Sequence, residues 1–275
     1  MILLIETKHI TRCISLYVSL FFSKLQESLR YFIELSYNGQ YYHGWQHQPD
    51  AVTVQDTVEN ALSTILRNQI SIVGAGRTDA GVHARKMVVH TDIDELTDVE
   101  ELIFKLNSFL PKDISIHKIY KVNPKAHARF DAIGRTYQYH ITGRKDPFLN
   151  GYAYYLHQLP DFDILNEASK VLLDYNDFQC FSRSKTDVKT YHCTIKEAVW
   201  TLKGDRLTFT ISADRFLRNM VRAIVGTLLE VGFGTISIEK FHGIIQSKDR
   251  NQAGTSVPAH GLYLTEISYP KEIIK

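Results

Sequence analysis

Residues Tyr31-Phe32-Ile33-Glu34-Leu35-Ser36-Tyr37 alternate as a strand does and run into Asn38-Gly39, a pair that marks a tight turn. Working outward, residues 54–67 place Val54, Val58, Ala61, Leu62 and Ile65 at helical spacing. Residues 70–73 and 87–93 read as strands flanking a glycine-rich loop, 99–107 as a helix and 114–122 as a strand. The order is strand, helix, strand, strand, helix, strand. After Asn123-Pro124 a similar order returns. Residues 136–142 read as a strand and 162–173 as a helix, and 194–202 with 206–212 as a hairpin across Gly204-Asp205. Residues 216–231 and 238–246 read as helices and 262–268 as a last strand. This pattern predicts an α+β protein of two ferredoxin-like (RRM-like) halves with abutting antiparallel sheets, residues 31–122 and 123–275. No residue-level repeat accompanies the architectural one.

The 275 residues, 44% apolar and 23% charged, suffice for a full core. Net charge is only +2, so no whole-molecule field argues for a polyanionic partner. The charge is nevertheless segregated. Asp92, Asp94, Glu95, Asp98, Glu100 and Glu101 form an acidic run. Lys125, Arg129, Arg135, Arg144 and Lys145, then Arg183, Lys185 and Lys189, then Arg215, Arg218 and Arg222 form basic ones. Such a chain can present one basic face. Cys13, Cys180 and Cys193 are odd in number and lack a C-x-x-C pair, which argues against a disulfide framework or zinc site and fits a reducing cytoplasm. His43 and His47 sit four apart but have no glutamate between them and no evident third ligand, so no metal is expected.

Residues 1–30 stand apart. Lys8 and Arg12 precede an uncharged run, 13–23, that falls well short of the ~20 residues needed to span a bilayer. No A-x-A cleavage site follows. A poorly structured extension is expected, with the fold beginning near Tyr31.

The densest stretch for chemistry is Gly74-Ala75-Gly76-Arg77-Thr78-Asp79-Ala80-Gly81-Val82-His83-Ala84. Its glycines permit tight turns and close approach, and Ala80 and Gly81 leave space beside the Asp79 carboxylate. In an extended loop Arg77 and Asp79 share a side. No Gly-Lys-Ser/Thr follows and no third dinucleotide-binding glycine is present, so nucleotide motifs do not fit. On its own the loop is read more simply as one in which Asp79 fixes a turn. A second group lies in the 216–231 helix, where Arg215, Arg218 and Arg222 are expected on one edge beside a buried stripe of Phe216, Met220, Ile224 and Leu228. Like charges so placed call for an anion between them or for a solvated helix edge, a reading adequate for Arg215 and Arg218. A third, Arg129 with Arg135 and Tyr137, brings a ring and cations to one strand.

These residues resemble the TruA family of tRNA pseudouridine synthases. The likeness runs from Tyr37-Asn38-Gly39-Gln40-Tyr41-Tyr42-His43-Gly44-Trp45 and the 74–84 loop through Leu110-Pro111-Lys112-Asp113, 127–132 and 135–139. It closes on 216–226 and Pro258-Ala259-His260-Gly261-Leu262-Tyr263-Leu264. Departures from the usual pattern fall at Asn38, at 190–193 and at Ser256-Val257. None touches the expected catalytic set.

The resemblance implies an isomerase that converts uridine to pseudouridine at positions 38, 39 and 40 of the tRNA anticodon stem-loop. It also implies two halves around a central RNA-binding cleft, a homodimer, and no cofactor. Asp79 takes the position of the catalytic aspartate, Arg222 that of its arginine partner, and Tyr137 that of the tyrosine packed on the target base. Arg77, Thr78, His83, Arg129, Arg135 and Arg218 are expected to contact substrate, and Leu262 to form an apolar wall. The chemistry suits these types: an arginine partner keeps an aspartate ionised under partial desolvation, and reactant and product are isomers. Addition of Asp79 to C1′ or C6 and removal of the C2′ proton are all open. The alternative from another class is a non-catalytic tRNA-binding or RNA-folding protein on the same scaffold. The carboxylate set among cations argues against it.

Overall fold

The structure, a computed structural model, describes residues 28–183 and 188–274. Residues 1–27 of the expected extension, with Cys13 and the uncharged run, lie outside these, as does Lys185.

The fold is mixed α+β, built on a large, mostly antiparallel sheet. Its strands are β1 (Leu29–Tyr37), β2 (Val73–Gly74), β3 (His83–Ile93), β4 (Ile114–Lys121), β5 (Gly134–Thr142), β6 (Tyr154–Tyr155), β7 (Ile195–Lys203), β8 (Arg206–Ala213) and β9 (Leu262–Ser268). The helices are α1 (Val54–Leu66), α2 (Val99–Phe109), α3 (Phe162–Lys170), α4 (Met220–Gly232) and α5 (Ile238–Ser247). The main path runs β4-β1-β3-β9-β5-β8-β7, with β2 on β3 and β6 on β5. The last strand therefore sits in the middle. β9 pairs parallel with β3 through His83 and Ala84, and antiparallel with β5 along its length.

Alternation along the strands divides the residues between two faces. Tyr139 and Ile141 of β5, Leu207, Phe209 and Ile211 of β8, and Trp200 of β7 are buried with Leu165 of α3 and Ile224 and Leu228 of α4. A second core joins Ile33 and Leu35 of β1, Val89 of β3, Val58 and Leu62 of α1, and Leu106 of α2. Leu264, Ile267 and Ile273 from the end of the chain belong to this second core. Tyr137 packs against both.

Two departures from the sequence-based expectation concern the site. β1 starts at Leu29, two residues early, because Arg30 is drawn into the sheet: its guanidinium binds Asp92 at 2.6 and 2.7 Å and the Ala126 carbonyl at 2.9 Å. The helix expected from 216 starts instead at Met220. Asn219 has φ 65°, in the left-handed region, and ends any helical path through residues 216–218. Arg215 and Arg218 are therefore not on a helix edge with Arg222. Phe216 fits the apolar stripe because it packs edge-on against Tyr137, 5.1 Å between ring centres, and not because it is helical.

Candidate active site

The loop before β3 is held on both sides by backbone contacts. Ala75 N donates to Val88 O at 2.8 Å, Trp45 N to Thr78 O at 3.2 Å, and Gly81 N to Tyr42 O at 3.3 Å. The loop and the 39–45 turn fit so closely that a side chain on Gly39 would collide with the Val82 carbonyl. Gly81 itself has φ 78°, which glycine adopts without strain. Within this frame Thr78 turns inward. It is 8% exposed, and its hydroxyl meets that of Tyr37 at 2.8 Å. Arg77 on one side of it is exposed, and the Asp79 side chain on the other is 27% exposed.

Asp79 meets two guanidinium groups. Arg222 Nη1 donates to Oδ2 at 3.3 Å, and Arg218 Nε lies 3.9 Å from Oδ1. The two arginines differ in restraint. Arg222 is 21% exposed and its Nε is fixed on the Val257 carbonyl at 2.8 Å, whereas Arg218 is 56% exposed. The sequence-predicted meeting of Asp79 and Arg222, 143 residues apart, is thus present, and Arg218 joins it from the turn before α4. The carboxylate is thus balanced by two cations, one on α4 and one in the turn before it, and remains partly exposed.

Tyr137 stands on β5 opposite Leu264. Burial pushes its phenol up to about 12; the Arg135 guanidinium opposes that rise and the Asp79 carboxylate adds to it. At neutral pH it is a neutral ring with a hydroxyl. Leu262, 6% exposed, lies opposite Tyr139 on the buried face.

Other expected contacts are committed to the protein itself. His83 is 2% exposed. Its Nδ1 accepts from Gly39 N at 3.1 Å, which leaves the proton on Nε2, 3.1 Å from both the Gly151 and His260 carbonyls. Burial lowers its pKa, so it stays neutral. Arg135 is a clasp. Nη1 donates to Ala132 O (3.2 Å) and Asp214 O (2.9 Å), and Nη2 to Ala75 O (3.0 Å) and Arg129 O (2.8 Å). It ties the start of the 74–84 loop to the end of β8, and burial lowers its pKa. Arg129 is exposed, its guanidinium 5.8 Å from the Phe130 ring centre.

Sequence reasoning did not single out Tyr37, Tyr42, Trp45 or Val257, which hold the loop and Arg222 in place. The 37–45 stretch stands out in sequence for its density of rings and glycines. For Val257 the useful atoms are backbone atoms, which no side chain announces. His47, exposed, pairs with Asp56 at 2.6 Å. Cys180 and Cys193 are buried, their thiols pushed up to about 12 by desolvation. No helix among the described residues is long and apolar enough to cross a membrane.

Comparison with known proteins shows what the chain is similar to. A family model described as tRNA pseudouridine synthase matches residues 35–131 and 168–270. The tRNA pseudouridine synthase A of Parabacteroides distasonis is 56% identical over 245 residues, covering 89% of this chain and 97% of the relative. That of Bacteroides fragilis is 52% identical, covering 90% and 98%. That of Bacillus subtilis is 38% identical, covering 86% and 97%.

Proposed function

The chain belongs to the tRNA pseudouridine synthase family, and from that premise we propose that it isomerises the uridines at positions 38, 39 and 40 of the tRNA anticodon stem-loop, with Asp79 as the catalytic carboxylate. The observation that carries the assignment of Asp79 is its pairing with Arg222 at 3.3 Å beside Tyr137. Binding RNA needs cations; it does not need a carboxylate held open among them.

In the reaction the N1–C1′ glycosidic bond breaks, the uracil turns while held in the site, a C5–C1′ bond forms, the C5 proton leaves and N1 takes up a proton. Atoms and charge balance without an oxidant or a second substrate. The target base must first leave the helical stack, at a cost of a few kcal/mol. Tyr137 offsets part of that by stacking on the uracil, worth roughly 1–3 kcal/mol. Leu262 contributes to the apolar wall behind it. Arg77 and Arg129, exposed, meet phosphates, and Arg218 passes from the carboxylate to the backbone of the bound RNA. Asp79, held by Arg222, acts at the sugar or the base, by addition at C1′ or C6 or by removal of the C2′ proton. His83, Thr78 and Arg135 serve this site by holding its loop.

On this reading the molecule comprises two ferredoxin-like halves, 31–122 and 123–275, around a central RNA-binding cleft. It works as a homodimer in the cytoplasm. The family model's two separate stretches, before and after β5, support the two-part architecture.

The test is mapping of pseudouridine in tRNA from cells lacking the gene, complemented with wild type or Asp79→Asn. The expected result is loss at positions 38–40, restored by wild type alone. Loss at other positions, or restoration by Asp79→Asn, would overturn the assignment of target or residue respectively.

A further inference from the structure

The segment after α5 carries an arrangement that the reaction scheme does not use. Residues 249–257 form a strap laid along α4. It begins with a short 3-10 turn (Arg250–Gln252) capped by the Asp249 carboxylate, which accepts from Asn251 N at 2.9 Å. The Arg250 guanidinium folds back along the strap. Nη1 donates to Ala253 O at 3.1 Å and Gly254 O at 3.2 Å, and Nη2 to Ser256 Oγ at 3.0 Å. No carboxylate lies within ion-pair distance of it among the described residues, so its charge is spent on these three acceptors. The strap is close to the helix: a side chain on Gly226 would collide with the Thr255 carbonyl, and Gly254 N donates to Thr227 Oγ1 at 2.9 Å. Ser256 Oγ also receives Asn219 Nδ2 at 2.6 Å, from the left-handed residue that opens α4.

The strap ends at Val257, 5% exposed. Its N–H donates to Arg222 O at 3.2 Å, and its carbonyl accepts Arg222 Nε at 2.8 Å. That second bond sets the plane of the guanidinium whose Nη1 reaches Asp79 at 3.3 Å. A contact of 3.3 Å is already at the long end of the hydrogen-bond range, so it has no slack for a shift of the strap.

We propose that Arg250 is a positioning residue for the reaction, acting through the strap on the Val257 carbonyl that aims Arg222 at Asp79. No hydrogen bond or ion pair among the described residues joins Arg250 to Asp79, Tyr137 or Arg77, so its influence runs through Arg222. An arginine is suited to this: its planar fork reaches three acceptors at fixed angles, where lysine, a point donor on a flexible stem, holds fewer. The inference rests on the reading of Asp79 as the catalytic carboxylate.

The test is steady-state pseudouridine formation on unmodified tRNA by Arg250→Gln and Arg250→Lys, with thermal melts and tRNA affinity alongside. Misplacement of a charged partner by less than an ångström predicts a fall in kcat of about tenfold for Arg250→Gln, with KM within about twofold, and an intermediate kcat for Arg250→Lys. In an Arg222→Gln background, followed in single turnovers, Arg250→Gln then adds less than about a twofold further loss. Unchanged kcat, a rise in KM alone, or the same tenfold loss in the Arg222→Gln background would each overturn the proposal. If Arg250→Gln does not fold, Ser256→Ala, which removes the acceptor shared by Arg250 and Asn219, carries the same expected split. Asp79→Ala is run in parallel. Activity in that variant sinks the underlying assignment of Asp79; an inactive Asp79→Ala with a fully active Arg250→Gln sinks this proposal alone.

Discussion

At the scale of single residues, the site divides into partly exposed groups and groups that hold them, and sequence distinguishes the two poorly. Asp79, Arg222 and Tyr137 stood out as a carboxylate, a cation and a ring in distinctive surroundings, and the structure brings Asp79 to Arg222. His83 and Arg135 looked alike as polar residues near the loop. Only their contacts within the protein set them apart, and these come from chain segments far away: Gly151 and His260 for His83, Asp214 and Ala75 for Arg135. Arg135 makes the division testable. Lysine retains the charge but cannot serve four carbonyls at once. Arg135→Lys is expected to lose about 2–3 kcal/mol of stability, the cost of carbonyls left without donors. It is also expected to lower kcat by about tenfold or more as the 74–84 loop loosens. Urea denaturation and steady-state kinetics measure both. A variant as stable and as active as wild type would mean that the clasp does not hold the loop.

At the scale of elements, the strands and most helices follow their periodicity to within a few residues, and the main error is instructive. The apolar spacing of Phe216, Met220, Ile224 and Leu228 read as one helix, yet Asn219 breaks it at φ 65°. Spacing records which residues are buried, and Phe216 is packed on Tyr137 without being helical. The break is what sends Arg218 towards Asp79 by a route separate from that of Arg222. A left-handed backbone is costly for alanine, about 1–2 kcal/mol, and costs glycine little. Asn219→Gly is therefore expected to be more stable than Asn219→Ala by about 1 kcal/mol, although both lose the bond to Ser256. Equal stabilities in urea would show that the turn relaxes instead.

At the scale of the whole molecule, the order of elements was readable but the joining of the sheet was not. That β9 pairs with both β3 and β5 depends on contacts about 180 and 125 residues away in sequence, which no local pattern encodes. The sheet also determines how the protein responds to acid. His90, on β3, and His140, on β5, are both lowered to about 4, chiefly by burial. His90 Nδ1 accepts the Ala128 N–H at 3.1 Å, a bond that protonation would remove. A histidine whose folded pKa lies below its unfolded value of about 6.5 takes up its proton more readily when unfolded. Its contribution to stability is present above about pH 6.5 and is lost as pH falls towards 4. Each is expected to contribute a loss of about 2 kcal/mol between pH 7 and 5. Urea denaturation at the two pH values tests this, with His90→Gln and His140→Gln each flattening the dependence; an equally steep loss in both variants would place the acid sensitivity elsewhere.

The central claim is that Asp79 carries the isomerisation of uridine in tRNA. Joining C5 to the sugar must expel the hydrogen that C5 held, so tritium release from tRNA carrying C5-tritiated uridine reports the reaction itself. Wild type is expected to release tritium, and Asp79→Ala to release none while still binding tRNA. Equal release by the two proteins would contradict the account and place the chemistry on another residue.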